Sequence, residues 1–190
     1  MHPAGRTRQG RVRRSGGKTP LSELQKGDPN HAWDYATSLL ARRDYSSAEL
    51  RKKLVARGYL EIAFGPVVEE LLAENKVNDE RYGENQVAYR ARRGHGPARI
   101  RAELQRSGLS RSAIDDAVKG ESAPDFLALA RTVRARKFGP DLPKDRKERA
   151  RQARFLQYRG FSTDHIRAVL EGDPLDGDTD SDPNTDSVQA

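Results

Sequence analysis

Residues 77–110, VNDERYGENQVAYRARRGHGPARIRAELQRSGLS, set the pattern that organises the whole chain. The Asn-Asp pair near their start suits the cap of a helix that runs to about Arg93. A Gly-His-Gly-Pro break follows, and Pro97 fits the first position of a second helix. Gly108 suits the left-handed position that ends this second helix. The stretch is therefore predicted to be two helices joined by a tight break.

The same pattern occurs once before and once after this stretch. Gly58, Gly108 and Gly160 end the three equivalent helices, fifty and fifty-two residues apart. Apolar residues precede each glycine at matched positions, except that Gln152 replaces the first of them in the third copy. A helix with a spaced apolar pair follows each glycine, once four extra residues are allowed in the first copy: Val68/Leu72, Ile114/Val118 and Ile166/Leu170. A period near fifty residues with three helices in each copy indicates a helical array.

We predict an all-α fold, an elongated, curved array of three tandem three-helix repeats. The repeats are expected at residues 31–76, 77–120 and 121–171. Residues 1–30 are expected to form a disordered basic arm, and residues 172–190 a disordered acidic tail, because both have too few apolar residues to fold.

Three local expectations accompany this array. Ser46 is predicted to cap the second helix of the first repeat, with Glu49 completing a capping box. The third helix of that repeat is predicted to start near Pro66. Gly83 lies within the first helix of the second repeat and lowers its helix propensity. Either a close helix crossing or sequence drift explains why a glycine stands there.

Composition restricts the function classes. Of 190 residues, 35% are hydrophobic and 33% are charged, which argues against a single thick core. The chain has no cysteine, so disulfides and thiolate chemistry are excluded. No apolar run is long enough for a membrane span, and the N-terminal residues lack the apolar core of a signal peptide. We expect a soluble, cytoplasmic, monomeric protein without a membrane partner.

The charge distribution points to an anionic partner. The net charge is +7, and residues 31–171 alone carry 28 basic and 20 acidic residues. Such a surface attracts phosphate backbones or an acidic protein. A solvated arginine-rich surface is the alternative. The basic arm either holds nucleic acid loosely or only aids solubility, and the six aspartates of the tail are expected to compete with DNA for the basic surface.

The sequence contains no catalytic or metal-binding constellation. The four histidines are scattered and have no metal-ligand spacing. A P-loop and a Gly-x-Ser-x-Gly motif are both missing. His95, between two glycines, is expected to be an exposed turn residue, with contact to a phosphate as the alternative. We therefore predict a protein that is not an enzyme and needs no cofactor.

Basic residues are the candidate partner-binding residues. Arg99 and Arg106 lie seven residues apart on one face of the second helix of the middle repeat, opposite its apolar stripe. The remaining candidates end the preceding helix or form the dense basic run of the third repeat: Arg90, Arg92, Arg93, Lys144, Arg146, Lys147, Arg151 and Arg154. Arginines in such rows can pair with phosphates. Alternatively, they complement helix dipoles or pair with Glu84, Glu103 and Glu148.

Residues 77–110 resemble the central signature of the RecX family of bacterial recombinase regulators. The resemblance is carried by an Asn-Asp-Glu-Arg-Tyr start, an arginine-ended helix, a Gly-Pro turn and an apolar helix closed by glycine: residues 78–82, 90–93 and 96–97, with Ile100, Leu104 and Gly108. Residues 39–59, LLARRDYSSAELRKKLVARGY, resemble the family's N-terminal unit. Gly83 departs from the alanine that the family more often has. The resemblance spans residues 31–171 and is least distinctive in the third repeat.

This resemblance implies a modular, curved protein that binds the RecA recombinase in the groove of its filament on DNA. It also implies inhibition of the ATPase, strand-exchange and co-protease activities of RecA, by occupation of the groove and not by catalysis. Single- and double-stranded DNA are then secondary, electrostatic partners. Two alternatives stay open: a helix-turn-helix regulator that binds duplex DNA by itself, and a helical scaffold for another acidic partner.

Overall fold

The computed structural model describes residues 20–171, and in this range the chain forms ten α-helices and no strand. A short helix, α1, precedes three successive groups of three, which we call the first unit (α2–α4), the second unit (α5–α7) and the third unit (α8–α10). Their bounds are α1 Glu23–Lys26, α2 Pro29–Leu40, α3 Ser47–Arg57, α4 Glu61–Ala73, α5 Asp79–Arg92, α6 Pro97–Arg106, α7 Arg111–Lys119, α8 Phe126–Phe138, α9 Arg146–Arg159 and α10 Thr163–Glu171.

The predicted all-α array of three-helix units is confirmed. In each unit the first helix packs against the third, and the second helix lies against both. The buried apolar side chains form three clusters, one centred in each unit, with Phe126 of the third unit joining the cluster of the second. Each cluster is thin, in keeping with a composition that cannot supply one thick core.

Ordered structure begins earlier than predicted, so the disordered arm expected over residues 1–30 is corrected for residues 20–30. Ser22 and Gln25 form a complete capping box at α1, and Leu21 is buried. The end of α1 is tied to the first unit, because the Leu60 amide donates to the carbonyl oxygen of Lys26 over 2.9 Å. The expectations for residues 1–19 and 172–190 fall outside the described residues.

The first unit confirms one capping prediction and corrects another. Ser46 accepts a hydrogen bond from the Glu49 amide and caps α3, as expected. The Glu49 carboxylate does not complete a capping box; it lies 3.1 Å from Arg43 Nη1 instead. The Glu49 carboxylate therefore pairs with the Arg43 side chain instead of the backbone amide of Ser46.

The third helix of the first unit begins at Glu61, five residues before the predicted start at Pro66, which lies inside the helix. The reason is tertiary: Ala63 and Phe64, in the extra turn, are completely buried. Their burial offsets the backbone hydrogen bond that proline cannot make. With 13 residues against nine in α7 and in α10, α4 absorbs the four-residue insertion as one additional turn.

Gly83 is explained by a close helix crossing. It is buried where α5 meets α7, and a Cβ atom there would lie 3.2 Å from both the Ala117 Cβ and the Leu109 Cδ2. An added methyl group would thus need its neighbours to shift by a few tenths of an ångström. Packing, and not sequence drift, accounts for this residue.

The units are joined through their second helices, head to tail. At the first joint, the end of α6 meets the start of α3: Ser46 Oγ donates to the Ser107 carbonyl oxygen over 2.6 Å, and a Cβ on Gly108 would overlap Ala48. Asp79, at the start of α5, also accepts hydrogen bonds from the amide and the hydroxyl of Ser47, at 2.7 and 2.6 Å. These contacts fix the second unit against the first.

The second joint repeats this geometry one unit further on. The end of α9 meets the start of α6, where the amide of Ala98 donates to the Gly160 carbonyl oxygen over 3.0 Å. A Cβ on Gly160 would overlap the backbone and Cβ of Arg99. Gly108 and Gly160 both have positive φ, +84° and +88°, so each glycine ends its helix and allows the next unit to approach closely.

A buried arginine organises the third unit. Arg134 donates hydrogen bonds to the carbonyl oxygens of Gly139, Pro140 and Asp141, and so anchors the loop between α8 and α9. It also donates to Gln152 Oε1 over 3.5 Å. This partner explains why glutamine fills the buried position that leucine and isoleucine occupy in the other units.

The helices of residues 20–171 include no segment that is both long enough and apolar enough to cross a membrane.

Candidate nucleic-acid interface

Two of the predicted arginines in the second unit converge on one carboxylate. Arg90, near the end of α5, places its Nε 2.7 Å from Glu103 Oε2, and Arg99, in the first turn of α6, places its Nε 3.3 Å from Glu103 Oε1. All three side chains are partly buried. Glu103 therefore offsets much of the positive charge that Arg90 and Arg99 carry.

His95 lies beside the same carboxylate and is not the exposed turn residue that its flanking glycines suggested. Only 13% of its side chain is exposed, and its Nδ1 lies 4.0 Å from Glu103 Oε1. Burial lowers the pKa of His95 below its usual value, and the positive charge of Arg99 lowers the pKa further. The imidazole is thus neutral at physiological pH and adds no charge to the surface.

Arg106 lies at the opposite end of α6 from Arg99, in a different surface feature. Its side chain is exposed and lines a cleft of about 550 Å³ between the first and second units. Arg43 and Arg90 line the same cleft, together with the carboxylates of Glu49 and Glu103. Because this cleft contains charges of both signs, it is not strongly selective for an anion.

The remaining two predicted arginines of the second unit line a cationic groove. This groove, of about 300 Å³, lies where the end of α5 meets α8 and α9 of the third unit. Its cationic side chains are Arg92, Arg93, Arg136, Lys137 and Arg159, and among the residues described as lining it there is no carboxylate. We call these five residues and the space between them the basic groove. Its positive charge is therefore not offset by a carboxylate within the lining.

The floor and walls of the basic groove are apolar and aromatic. Leu129, Val133 and Phe155 line it between the cations. The Arg159 guanidinium lies 5.2 Å from the centre of the Phe155 ring, and its Nη1 donates to the Arg93 carbonyl oxygen over 3.1 Å. Arg159 therefore links the second and third units while it presents charge to the groove.

A row of alternating cations and rings continues from the groove along α9. Phe155 packs edge-on against Phe138, with ring centres 5.3 Å apart, and the guanidinium of Arg151 lies 5.1 Å from the centre of the Phe138 ring. Arg151 also pairs with Glu148 at 3.2 Å. Tyr158, on the same helix, is 79% exposed. Aromatic rings beside cations are the components from which single-stranded nucleic acids are bound, by stacking of bases and pairing of phosphates.

The other predicted residues of the third repeat do not line the groove. Three of them lie around the start of α9, and Arg154 lies in its middle, next to Phe155. All of them are exposed: Lys144, Arg146, Lys147 and Arg154. Lys144, Arg146 and Lys147 form a basic rim at the start of α9. The groove itself includes three cations that the sequence prediction omitted: Arg136, Lys137 and Arg159. Two features of the sequence could have revealed these cations: the basic last turn of α8, and the four-residue spacing of Phe155 and Arg159 on α9.

Comparison with known proteins places the chain in one family. Three RecX family domains match it in order: the first three-helix domain over residues 32–71, the second over 78–118 and the third over 124–170. The regulatory protein RecX of Halorhodospira halophila is 44% identical over 136 residues, which cover 72% of this chain and 84% of that protein. The regulatory protein RecX of Ectopseudomonas mendocina is 44% identical over 137 residues, covering 72% of this chain and 91% of the relative.

Solved structures with the same fold carry the same family name. The crystal structure of RecX from Lactobacillus salivarius superposes with a TM-score of 0.66 at 20% identity, over 76% of this chain and 95% of that one. A second crystal structure of a regulatory protein RecX gives a TM-score of 0.66 at 21% identity, over 81% and 80% of the two chains. These structures establish the fold, and the sequence matches establish descent: the chain belongs to the RecX family of regulatory proteins.

Proposed function

We propose that this protein binds the filament of the RecA recombinase on DNA in the cytoplasm. It inhibits the ATPase, strand-exchange and co-protease activities of RecA, and thereby modulates DNA repair and recombination. Membership of the RecX family supports a regulatory role. The observation that carries the contact with DNA is the basic groove, whose five cations face one space without a carboxylate in its lining.

Inhibition follows from occupancy in this proposal, without chemistry at a catalytic centre and without a cofactor. The second helices meet head to tail, through backbone hydrogen bonds at the second joint and a side-chain bond at the first. Such joints hold the units in a fixed relationship, so one monomer presents several surfaces to a long partner at once. A repeated surface is suited to a partner that is itself repetitive, such as a helical filament.

The predicted basic residues should contribute unequally to this contact. Arg92 and Arg93 lie in the basic groove, whereas Arg90 and Arg99 share Glu103. An uncompensated cation gains more from a phosphate than a cation that already has a carboxylate partner. We therefore assign the strongest DNA contacts to the groove, and weaker ones to the exposed basic rim at the start of α9.

The alternative, a helix-turn-helix regulator that reads duplex DNA alone, receives less support. In such proteins the recognition helix enters the major groove, and in three-helix variants it is the third helix. Here α4 carries Glu61, Glu69 and Glu70 but no lysine or arginine. In α7, Asp115 and Asp116 balance the two basic residues, Arg111 and Lys119. Phosphates are repelled by an acidic helix such as α4 and are not attracted by a helix without net charge such as α7. The basic second helices and their joints are therefore the better DNA contacts.

The deciding experiment measures DNA-dependent ATP hydrolysis by the cognate RecA at increasing concentrations of this protein. We expect hydrolysis to fall to a low plateau. The double variant Arg136→Ser/Lys137→Ser should need a higher concentration, by about tenfold, because it loses two phosphate contacts of the groove.

The matched control is Arg42→Ser/Lys53→Ser, which removes the same charge from exposed positions of the first unit. This variant should inhibit like the parent protein. Hydrolysis that is unchanged at saturating protein would refute the proposed function. Equal inhibition by the two double variants would move the DNA contact out of the basic groove.

A further inference from the structure

The basic groove gathers five cations in one space whose lining contains no carboxylate. Several arginines elsewhere in residues 20–171 are matched by carboxylates. Arg51 Nη1 lies 2.9 Å from Glu61 Oε1, and Arg51 Nη2 lies 2.6 Å from Glu69 Oε1. Arg90 is matched by Glu103 in the same way. Five clustered cations without such partners repel one another, and they favour any anionic segment that can reach them.

The chain itself supplies a segment of complementary charge. Residues 172–190 contain six aspartates and no lysine or arginine. Five of the aspartates occur at two- or three-residue spacing between positions 173 and 182. Carboxylates at this spacing can meet several guanidinium groups, each of which can pair with a carboxylate through two parallel hydrogen bonds.

The point at which this segment leaves the described structure places it within reach of the groove. It follows Glu171, the last residue of α10, and α10 packs against α8 and α9, the two helices that line the groove from the third unit. Helix α10 starts at Thr163, four residues after Arg159 of the groove, and has nine residues, so it spans only about 14 Å. Nineteen residues reach up to about 60 Å when extended, several times that distance.

We propose that residues 172–190 bind the basic groove of the same molecule and compete there with nucleic-acid phosphates. Tethering strengthens a weak contact, because a segment confined this close to its site has an effective concentration in the order of millimolar. The acidic segment thereby sets a threshold: a long polyanion with many phosphates displaces it, whereas a short one does not. The contact itself is independent of the proposed function, and only its regulatory consequence rests on that function.

Two other basic regions compete for the role of acceptor. The basic rim at the start of α9 borders Glu148, whereas the groove is concave and has no carboxylate in its lining. Residues 1–19 contain six basic residues, but they precede the first unit, at the other end of the chain. Charge density and proximity to Glu171 both favour the groove. Binding of the acidic segment to either of the other two regions is a separate outcome of the test below.

The test uses amine acetylation of the folded full-length chain, read by mass spectrometry at individual lysines. Lys137 reports on the groove, Lys144 and Lys147 on the rim, Lys18 on residues 1–19, and Lys53 on the first unit as the internal control. Two variants are compared with the parent: a chain that ends at Glu171, and a full-length chain in which the six tail aspartates are asparagines. Neither variant changes a residue of the described helices.

We expect Lys137 to react about threefold faster in both variants than in the parent, and Lys53 to react equally in all three. The difference should vanish near 0.5 M NaCl, roughly the point at which screening removes contacts between exposed charges. Equal reactivity of Lys137 in all chains would overturn the proposal. So would a change confined to Lys144 and Lys147, or to Lys18, because the segment would then lie elsewhere. These outcomes require neither DNA nor RecA, so they stand apart from the test of the proposed function.

Competition is measured separately with a short fluorescent oligonucleotide at low salt. The chain that ends at Glu171 should bind it about tenfold more tightly than the parent, with a smaller gain as salt rises. The gain should be lost when Arg136→Ser/Lys137→Ser is combined with the truncation. An unchanged affinity after truncation would overturn the competition with phosphates.

Discussion

The amide of Gly96 donates a hydrogen bond to the carbonyl oxygen of Arg159, 2.8 Å away, so α6 begins where α9 ends. A free helix start has unpaired amides, and a free helix end has unpaired carbonyls. At this joint each supplies the partner that the other lacks. The head-to-tail order also aligns the two helix dipoles favourably. The backbone therefore contributes to the joint between the second and third units, along with the side chains.

The glycines that end the second helices should differ in their tolerance of a methyl group. Gly58→Ala should destabilise the protein by about 1 kcal/mol, the cost of a left-handed backbone for an L-residue, because only Leu21 Cδ1, at 4.0 Å, is near the new Cβ. Gly108→Ala should destabilise by about 3 kcal/mol, because the methyl group also overlaps Ala48. Thermal unfolding followed by circular dichroism measures both values.

A compensating change tests the cause. Ala48→Gly combined with Gly108→Ala removes the overlap and should recover part of the loss, although glycine in α3 has its own cost of about 1 kcal/mol. If Gly58→Ala and Gly108→Ala prove equally destabilising, the close approach of the units would not be the reason for Gly108.

Arg134 should be essential for the third unit although it touches no proposed partner. Replacing it by leucine leaves the carbonyl oxygens of Gly139, Pro140 and Asp141 without their donor, and should lower the stability of the protein by about 3 kcal/mol. Arg136→Leu, two residues further on α8 and exposed, should change it by less than about 0.5 kcal/mol. Similar melting temperatures for the two variants would contradict the anchoring role.

His95 should make stability depend on pH in the mildly acidic range. Burial lowers its pKa in the folded state, so as pH falls below about 6.5 the unfolded chain takes up a proton first. The free energy of unfolding is therefore highest above that pH, where the imidazole is neutral in both states. It declines below that pH, until the lower folded-state pKa is reached. His95→Gln should show a flatter decline in melting temperature between pH 7 and pH 5 than the parent. Parallel curves would argue against a neutral, desolvated His95.

DNA binding should show a salt dependence that locates the phosphate contacts. Each phosphate contact with single-stranded DNA contributes about 0.7 to the slope of log affinity against log salt, so Arg136→Ser/Lys137→Ser should reduce the slope by about 1.4. The measurement is fluorescence anisotropy of a labelled oligonucleotide between low and moderate salt. With Arg42→Ser/Lys53→Ser the slope should stay that of the parent; a drop there as large as in the groove variant would indicate diffuse attraction by net charge.

Much of the architecture follows from the sequence because local rules decide it. A left-handed glycine ends α3 and α9 at the predicted residues, Gly58 and Gly160, and Ser46 caps α3. These features depend on neighbours within one or two turns, which a sequence displays directly. The early start of α4 was not predictable in this way, since the propensity rule for Pro66 was overridden by the complete burial of Phe64.

The candidate site was predictable only in its charge. The sequence by itself determined that arginines and lysines would cover the second and third units, because composition and helical spacing are local properties. Only the tertiary structure decided which of them act together: it paired Arg90 with Glu103 and gathered Arg93, just after α5, with Lys137 of α8 in one groove. The physical reason is that this grouping depends on the angle between units. That angle is fixed by contacts between distant residues, such as Gly96 with Arg159, which no periodicity reveals.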